Sequence, residues 1–490
     1  MPVRDGKQFI EGLKARPREV WLNGERVEDV TEHPALKRSV QQLARLYDMQ
    51  SDPAHRDILT YTSPSSGDLV GTSFMAATDQ AGLFKRRQAY RLWAEATFGM
   101  MGRSPDFMNI TLLSFAEGRE VFARGGEQFA DNFVRYYEHC RENDVFLTHA
   151  LVPPQTDRSR ASSDLKDEYV NLGYVRETAE GIIVRGARMV ATLGPVADEV
   201  LIYNLPGLRP EDNKYEWVFA VPLDAPGLRQ ICREPYDMGN RTTFDHPLAA
   251  NFEESDSLMI FDDVLVPWDR VFVHNSVERA NALFPDTNLR NYTAHQSAVR
   301  GLVKMQIAVG VAMAMARRVK TDRFLHVQQM LGECLNYVEL VKSCIVRSEA
   351  ECERTADGTV RPIFAPLQAV RTSLPTWYPR VIEVIQTLGA GALFTLPSAK
   401  DFTSPVADDI ALYYQGAEGY AAEERIKLYR LAWDLCGDAF GMRQLQYERY
   451  YAGDPVRQTA LNYASFDTSE CDTLVERALE MAGRPGGEAG

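Results

Sequence analysis

The features that this 490-residue sequence lacks exclude several classes of protein. Its seven cysteines are scattered along the chain, and no two of them are spaced Cys-x-x-Cys. An odd number of scattered cysteines argues against a disulfide framework and against a zinc or iron–sulfur site, and it favours a reducing compartment. The eight histidines include no pair at metal-binding spacing. We therefore expect a cytoplasmic protein without a metal centre.

Targeting and membrane segments are also missing. The first 25 residues mix charged and apolar positions, and no run reaches the roughly 18 uncharged apolar residues that a membrane span needs. The chain has 54 basic and 68 acidic residues, which gives a net charge of −14. Such an acidic chain is a poor general binder of nucleic acid or of anionic membranes. We expect neither as a partner.

Nucleotide-binding glycine motifs are absent as well. There is no Gly-x-Gly-x-x-Gly, no Gly-x-x-x-x-Gly-Lys-Ser/Thr, no Gly-x-Ser-x-Gly and no His-Glu-x-x-His. The nearest glycine cluster, Gly389-Ala390-Gly391, lacks the third glycine, and we interpret it as helix packing. Nicotinamide chemistry therefore has no recognisable binding site in this chain.

The residues that are present predict three regions in an α+β chain. A chain of 55.2 kDa is too long for one simple core. We predict an N-terminal helical domain at 1–145, a middle β domain at 146–275 and a C-terminal helical bundle with a frayed tail at 276–490. The β texture consists of short runs at 182–184, 189–192, 200–203, 216–221 and 258–261, which favours a small barrel or sandwich.

Two of the helical regions have clear sequence signals. Thr78 and Asp79 are good N-cap residues for a helix that we predict to run from Asp79 to Met100. In the bundle, one apolar stripe recurs at spacings of three and four residues, namely Val327, Leu331, Leu335, Val338, Val341 and Ile345. The apolar segment 297–318 contains two cations, so we predict a buried bundle helix and not a membrane span.

Polar residues at the predicted domain boundaries are candidates for chemistry. Arg103 lies in a Gly- and Pro-rich turn, and His149 and the segment 155–158 lie at the first helical-to-β boundary, where two domains can form a cleft. We expect Arg185 and Arg188 on a turn between strands, and Asp262-Asp263 on another turn. Each of these groups, taken alone, is more often an ordinary surface or satisfied buried residue than a functional one.

Several longer motifs together resemble a known family. In chain order they are Leu46-Tyr47-Asp48, Gly-Met-Met-Gly-Arg-Ser-Pro-Asp at 99–106, Thr-His-Ala-Leu at 148–151, Pro-Gln-Thr-Asp-Arg at 154–158, Gly-Ala-Arg-Met-Val-Ala-Thr at 186–192, Ile-Phe-Asp-Asp-Val-Leu-Val-Pro-Trp at 260–268, Leu-Pro-Ser-Ala-Lys-Asp-Phe at 396–402, Phe-Gly-Met-Arg-Gln at 440–444, Tyr-Glu-Arg at 447–449 and Gly-Asp-Pro-Val-Arg at 453–457. This series resembles the oxygenase components of the two-component flavin-dependent 4-hydroxyphenylacetate 3-monooxygenases, whose relatives include chlorophenol monooxygenases. The resemblance covers about residues 5 to 460.

The resemblance implies a fold, a cofactor and a reaction. The implied fold is that of acyl-CoA dehydrogenases, assembled as a homotetramer. A separate NAD(P)H-flavin reductase would supply reduced FAD (FADH2), which this protein would bind and react with O2. The resulting C4a-hydroperoxide would hydroxylate an aromatic, phenolic substrate, either free or tethered to a carrier.

Site residues follow from the same resemblance, position by position. Arg103 matches the arginine between flavin and substrate, and His149 matches the histidine that contacts the substrate hydroxyl. His295 resembles a second histidine implicated as a base in the chlorophenol relatives. The expected FAD-binding residues are Arg103, His149, Gln155, Thr156, Asp157, Arg158, Val190, Ala191, Thr192, Met442, Arg443 and Gln444, the last three contributed by a neighbouring subunit.

The sequence departs from the family pattern at the substrate positions. Phe107 stands where the hydroxyphenylacetate enzymes have a tyrosine, and Leu205-Pro206 stands where they have a Ser-Thr pair that grips the substrate carboxylate. None of these side chains can donate a hydrogen bond. We therefore expect an aromatic substrate larger or less polar than 4-hydroxyphenylacetate, with the loop after Pro206 as a lid.

Two other interpretations remain open from the sequence. The first is another enzyme on the same fold: a dehydratase, which would need cysteines near Arg103 and His295 for an iron–sulfur cluster, or a dehydrogenase, which would need a base on the bundle. The second is a non-catalytic oligomeric scaffold. The retention of Arg103, His149 and the FAD segments argues against the scaffold.

Overall fold

Helices dominate the first third of the chain in a computed structural model that describes residues 3–157, 159–417 and 419–482. The helices are α1 (Gly6–Ala15), α2 (Lys37–Ser51), α3 (Arg56–Leu59), α4 (Gln80–Ala96), α5 (Pro105–Glu117), α6 (Arg119–Ala123) and α7 (Glu127–Asn143). The strands of this region are β1 (Glu19–Leu22), β2 (Glu25–Arg26), β3 (Thr60–Thr62) and β4 (Leu69–Gly71). Strand β1 was not predicted, and it pairs with a strand of the middle region.

Helix α4 begins as predicted, because the Asp79 side chain accepts a hydrogen bond from the backbone N–H of Gly82 at 2.8 Å. It ends at Ala96, four residues before the predicted end at Met100. The reason is a change of backbone conformation, since Phe98 has φ 52° and Gly99 has φ 68°, both left-handed. The chain then turns into α5, whose first residue is Pro105.

The middle region forms two sheets. Its strands are β5 (Leu147–Ala150), β6 (Gly173–Glu177), β7 (Gly181–Thr192), β8 (Glu199–Ile202), β9 (Val218–Pro222), β10 (Leu228–Cys232), β11 (Asp256–Pro267) and β12 (Val271–Val273). A six-stranded sheet has the order β2-β1-β10-β11-β7-β6, and a four-stranded sheet has the order β12-β9-β8-β5. Both sheets contribute to one hydrophobic core with the helices.

Three sequence predictions about this region were wrong. The runs at 182–184 and 189–192 belong to one strand, β7, so Arg185 and Arg188 lie within a strand and not on a turn. Gly186 (φ 116°) bends the strand there without breaking it. Asp262 and Asp263 likewise lie within β11, at a shift of register where Asp263 has φ 54°.

The last region is a helical bundle. It contains α8 (Val277–Ala282), α9 (Leu289–Arg318), α10 (Leu325–Ala350), α11 (Phe364–Gly389), α12 (Ala407–Tyr413), α13 (Ala422–Cys436), α14 (Ala439–Tyr450), α15 (Pro455–Ser465), α16 (Ser469–Glu480) and a small hairpin of β13 (Glu353–Arg354) and β14 (Val360–Arg361). The predicted stripe on α10 is buried except at Leu335, which is 46% exposed. Most of the predicted frayed tail lies outside the described residues.

Helix α9 is long and apolar enough to cross a membrane by length and composition alone. However, 72% of its most apolar window is buried inside the structure. Arg300 and Lys304, the two cations from which a bundle helix was predicted, are themselves buried. Helix α9 is thus the central helix of the bundle, and its middle faces the turn that precedes α5.

Candidate functional site

The turn before α5 carries Arg103 and is fitted tightly against the bundle. A Cβ atom added at Gly99 would lie 2.8 Å from the Cβ of Lys304, and one added at Gly102 would lie 2.4 Å from Cε1 of Tyr447. Both positions therefore require glycine, Gly99 also because its φ is positive. The backbone N–H of Arg103 donates to Oε1 of Glu254 at 3.0 Å.

Arg103, His149 and Tyr203 form a chain of hydrogen bonds. The Nε–H of Arg103 donates to Nε2 of His149 at 3.2 Å, and Nδ1 of His149 lies 2.9 Å from the Tyr203 hydroxyl. Since an arginine Nε can only donate, Nε2 of His149 is unprotonated in this geometry. The imidazole therefore has its proton on Nδ1 and donates it to Tyr203.

Burial and charge keep His149 neutral. Burial lowers the pKa of His149 well below its usual range, and the adjacent Arg103 guanidinium lowers it further. Both causes agree with the tautomer that the hydrogen bonds require. The pair thus offers a fixed cation beside a neutral imidazole, which suits a ligand oxygen that becomes negative as it reacts.

Aromatic rings surround the guanidinium group of Arg103. Its Cζ lies 4.0 Å from the ring centroid of Phe107, 4.4 Å from that of Tyr451 and 5.7 Å from that of Tyr447. The Phe107 ring also meets the His149 ring edge to face at 5.6 Å. These contacts orient the arginine without neutralising it, because a ring attracts the cation but takes no proton from it. Among the described residues, Nη2 of Arg103 makes no hydrogen bond and remains able to donate.

A second charged group joins Arg103 to the predicted flavin segments. Glu254, which accepts from the Arg103 backbone, also accepts from Arg443 at 2.7 Å. Arg443 makes two further bonds to Asp256, at 2.8 and 3.1 Å, and Asp256 accepts from the Thr192 hydroxyl at 2.7 Å. The structure thus links Arg103, Thr192 and Arg443 within one chain through Glu254 and Asp256.

The other predicted FAD residues vary in exposure. Gln155, Thr156 and Asp157 are exposed and Arg158 lies outside the described residues, whereas Ala191 and Gln444 are buried. Val190 is 44% exposed although it is apolar and has φ 64°, which is rare for a β-branched residue.

These residues fit a flavin. Met442, the residue before Arg443, is also apolar and 38% exposed. The hydroxyl of Tyr447, between Arg103 and Arg443, is buried without a hydrogen-bond partner in the described part of the chain. A large ligand with apolar rings and polar edges would cover the apolar side chains and could satisfy this hydroxyl.

His295 lies apart from this cluster. It is 1% exposed, and its Nε2 lies 2.7 Å from Glu349, whose carboxylate also binds Arg87 at 3.0 Å. Its ring meets Tyr90 edge to face at 5.9 Å. The described contacts of His295 thus belong to a pairing between α4, α9 and α10, and the structure does not bring it to Arg103 or His149. Its predicted role as a base stays a prediction.

Leu205 and Pro206 lie in the loop after β8. Leu205 is 42% exposed, and the carbonyl of Pro206 accepts from Nη2 of Arg457 at 2.8 Å. The next two backbone N–H groups, of Gly207 and Leu208, donate to Asn281. The start of the loop is therefore hydrogen-bonded to two bundle helices, α8 and α15. This attachment at one end agrees with the predicted role of the loop as a lid.

Sequence reasoning missed four residues of the cluster, namely Tyr203, Glu254, Tyr447 and Tyr451. Tyr203 directly follows a buried strand, and Glu254 lies in an acidic run before β11, so neither has a local signal of function. Tyr447 and Tyr451 are four residues apart, the spacing that places two side chains on one helix face. Only that spacing, and the family motif at 447–449, could have indicated them.

One group of possible metal ligands occurs away from this site. His246, Asp434 and Asp438 have ligand atoms within 4.8 Å of one another. Their oxygens are already engaged, because Asp438 accepts two bonds from Arg241 and Asp434 accepts from the backbone of Leu248 and Ala249. The group is explained as an ion-pair contact between the middle region and the bundle.

Comparison with known proteins places the whole chain in one family. Residues 5–273 match the family described as 4-hydroxyphenylacetate 3-hydroxylase N terminal, and residues 280–480 match its C terminal counterpart. The 4-hydroxyphenylacetate 3-monooxygenase oxygenase component of Thermus thermophilus is 42% identical over 462 residues, which cover 94% of this chain and 94% of that protein.

Solved structures are similar along nearly the full length. A crystal structure of the oxygenase component of 4-hydroxyphenylacetate 3-monooxygenase, complexed with FAD and 4-hydroxyphenylacetate, is 41% identical with a TM-score of 0.93 and covers 97% of this chain and 98% of that one. An archaeal 4-hydroxybutyryl-CoA dehydratase is 21% identical with a TM-score of 0.88, covering 99% and 97%. At that identity the dehydratase shows the fold alone.

Proposed function

The chain belongs to the 4-hydroxyphenylacetate 3-hydroxylase family, and from that premise we propose that it acts as the oxygenase component of a two-component, FAD-dependent aromatic hydroxylase. Its fold is the acyl-CoA dehydrogenase-like fold that the resemblance implied. The observation that carries the proposal is the pair of Arg103 and neutral His149 within a set of aromatic rings. The chain is a flavin-dependent aromatic hydroxylase; the residue roles below are proposals.

The cofactor would lie between the middle region and α14. Thr192, Val190 and Arg443 would hold FAD together with the exposed segment at 155–157, and Met442 would add apolar contact. When bound, reduced FAD supplies the electrons that activate O2 for transfer to the ring. The remaining chemistry is positioning and charge stabilisation by residues of this chain.

Arg103 and His149 would act on the phenol oxygen of the substrate. Nε2 of His149 has one lone pair, so the phenol O–H would replace the Arg103 Nε–H as its hydrogen-bond donor, while Nη2 of Arg103 donates to the phenol oxygen. As the ring is attacked, negative charge on that oxygen is stabilised by the fixed cation. Tyr203 accepts the Nδ1–H of the imidazole and so stabilises the tautomer in which Nε2 carries no proton.

The aromatic rings around Arg103 would exclude water. Phe107 is 6% exposed and lies against both Arg103 and His149. A dry pocket strengthens the arginine–oxygen attraction and prevents the loss of activated oxygen to hydrogen peroxide. Phe107 offers no hydroxyl to the phenol, and Leu205 and Pro206 offer none to a carboxylate. We therefore propose a substrate larger or less polar than 4-hydroxyphenylacetate, held mainly by apolar contact.

A reconstitution assay tests the function. The purified protein with NADH, FAD and O2 should form no hydroxylated product, and adding any flavin reductase should start hydroxylation of an acceptable phenol. Product formation without a reductase would contradict the two-component proposal. So would an enzyme that, with reductase, converts no compound in a panel of phenols, indoles and carrier-bound aromatics.

We also propose that the protein is a cytoplasmic homotetramer. The C-terminal helices α15 and α16 contain no buried residue, and large apolar side chains on them are exposed, including Val456 (79%), Tyr463 (83%) and Leu479 (66%). Apolar surface of this kind is stabilised by burial against another subunit. Light scattering after size exclusion measures the number of subunits directly.

The alternative functions have no specific observation in their favour. A dehydratase of this fold would need cysteines near Arg103 and His295, and the sequence has none between residues 1 and 139 or between 233 and 333.

A further inference from the structure

A buried charged cluster lies directly beneath the turn that carries Arg103. It consists of Arg300 and Lys304 on α9 with Glu448 and Gln444 on α14, and these side chains are 2%, 1%, 3% and 1% exposed. None of the four is needed for the roles assigned above to the phenol oxygen. Four buried polar groups at one place, three of them ionisable, need an explanation because burying charge is costly.

Within the cluster, Glu448 is the common acceptor. Arg300 donates to both of its carboxylate oxygens, at 2.6 and 3.0 Å, in a bidentate pair, and Nζ of Lys304 donates to it at 2.8 Å. Lys304 also donates to the amide oxygen of Gln444 at 2.5 Å. Burial would raise the pKa of Glu448, but Arg300 and Lys304 overcome it and lower that pKa to about 2. Glu448 is therefore ionised at every working pH.

The cluster in turn holds the turn before Arg103. Nη1 of Arg300 donates to the carbonyl of Gly99 at 3.2 Å, and Nε2 of Gln444 donates to the carbonyl of Met100 at 3.0 Å. About one helical turn beyond Glu448, the Tyr451 hydroxyl donates to the carbonyl of Gly102 at 2.9 Å.

The carbonyl oxygens of residues 99, 100 and 102 are thus each bound by a bundle side chain. Tyr451 also links the cluster to the site through its ring. The Cζ of Arg300 lies 4.3 Å from the Tyr451 centroid, and the Cζ of Arg103 lies 4.4 Å from it. A shift of Arg300 would therefore displace the Tyr451 ring, which the Arg103 guanidinium also contacts.

We infer that Glu448, through Arg300, Lys304 and Gln444, is a positioning residue for Arg103: it fixes the donors that hold the 99–102 backbone and so sets where the Arg103 guanidinium lies. An apolar cluster of the same volume could fill this space at no loss of stability, but it could not bind the turn carbonyls. The inference rests on the proposed function only for its activity readout.

Loss of these bonds to the turn would displace the Arg103 guanidinium from the phenol oxygen. A displacement of about 1 Å at a reacting group can lower a rate by roughly 100-fold, even when the group itself is intact. If the turn loosens, Arg103 and the phenol oxygen lose their alignment while reduced flavin still reacts with O2. The expected signature is uncoupling, in which hydrogen peroxide is released in place of hydroxylated product.

Two variants test the inference. Glu448→Gln keeps the shape of the side chain and removes its charge, and it replaces one of the two acceptor oxygens with an NH2 group that cannot accept from Arg300. Lys304→Met is milder, because the bidentate Arg300–Glu448 pair remains. It removes the Nζ bond to Glu448 and the Nζ bond to Gln444, the one that orients the Gln444 amide towards Met100. Having both keeps the test decisive if Glu448→Gln does not fold.

A matched control comes from another buried carboxylate. Glu199 is 3% exposed and pairs with Arg270 at 2.6 Å and with the Tyr136 hydroxyl at 2.9 Å, in strand β8 and away from the turn. Glu199→Gln removes a comparable buried charge and so reports the general effect of such a loss on stability.

Two measurements are made on each folded variant. The first is hydrogen–deuterium exchange of the 99–104 segment in the protein without cofactor, which should become about 10-fold faster or more in Glu448→Gln and Lys304→Met and stay unchanged in Glu199→Gln. The second is hydroxylated product per hydrogen peroxide with an added flavin reductase, which should fall about 10- to 100-fold in the same two variants. The KM for the aromatic substrate should change less than kcat.

The outcomes separate the two proposals. Unchanged exchange of the 99–104 segment in both variants overturns the positioning role whatever the activity. Normal coupling in both, with the wild type active, also overturns it. A wild type that converts no aromatic compound contradicts the proposed function, and the exchange measurement then still decides the positioning role.

Discussion

Arg103 donates its Nε–H to Nε2 of His149 across 3.2 Å, so the one imidazole nitrogen that faces the cation is the one without a proton. A protonated imidazole could not accept this bond, and it would repel the guanidinium. The two residues are 46 positions apart in the chain, yet each fixes the state of the other.

The first prediction concerns the charge and shape of Arg103. Arg103→Lys keeps the cation but loses the Nε–H that binds His149 and the planar group that lies against Phe107 and Tyr451. Removing one preorganised donor to a developing oxyanion costs about 100- to 1,000-fold in rate, so we expect at least that loss of coupled product in Arg103→Ala and a smaller loss in Arg103→Lys. Thermal melting should show both variants folded. Near-normal product yield in Arg103→Ala would rule out the assigned role.

The second prediction concerns Tyr203. Tyr203→Phe removes the acceptor of the Nδ1–H of His149 and leaves a buried donor unsatisfied, at a cost of about 1–3 kcal/mol. Freed from this restraint, the imidazole can move its proton to Nε2, which can then no longer accept from Arg103 or from a phenol. We expect roughly a 5- to 150-fold fall in kcat/KM for the aromatic substrate, with FAD affinity unchanged. Steady-state kinetics and a flavin titration measure the two quantities, and equal losses in both would point to general disorder of the site.

The third prediction concerns pH. The pKa of His149 lies well below its usual range because of burial and, secondarily, Arg103. Between the folded-state pKa and about 6.5, the unfolded chain binds a proton at this residue and the folded chain does not. Stability should therefore fall as the pH drops through 6.5, and it should be insensitive to His149 above that value.

Activity gives a second test of the same shift. In the wild type, the plot of kcat/KM against pH should show no step near pH 6.5 that is due to His149. A step near pH 6.5 that is present in the wild type and absent in His149→Asn would show that His149 titrates normally in the folded protein and is not held neutral.

The fourth prediction concerns Phe107. Its ring lies 4.0 Å from the Arg103 guanidinium and meets His149 edge to face, so a hydroxyl added at its tip would lie within the same pocket. We expect weak or badly coupled activity on 4-hydroxyphenylacetate in wild type and about 5- to 150-fold tighter binding of simple phenols in Phe107→Tyr, the range for one added buried partner. The natural substrate should gain nothing. A micromolar KM and tight coupling of wild type with 4-hydroxyphenylacetate would contradict the inference.

Helices were predicted correctly where a local sequence signal, such as a cap or an apolar spacing, was sufficient to determine them. Asp79 caps α4 as predicted, and the apolar spacing of α10 predicted its buried face at every position but Leu335. The split of β7 into two strands was wrong because Gly186, normally a breaker, here lies at an irregularity within a continuous strand. Strand β1 was missed because its partner β10 lies about 210 residues later, and its pairing has no local signature.

The site was predictable only in part, for a related reason. Arg103 and His149 were found through motifs, and the structure brings them together. Glu254 and the Arg300–Glu448 pair were not found, because the role of a buried charge can be inferred only when its partner is known. Glu254 is 151 residues from Arg103, and Glu448 is 148 residues from Arg300. His295 is a different case, since a motif drew attention to a residue whose described contacts lie with Glu349 and Tyr90, and its role as a base stays a prediction.

The turn before Arg103 can become ordered only late in the synthesis of the chain. Its carbonyls at residues 100 and 102 are bound by side chains 344 and 349 positions further along the chain. During synthesis these partners leave the ribosome late, so the earlier domains can fold while Arg103 still lacks its final position. A chain that ends before α14 could then contain every predicted catalytic residue and still form no ordered site.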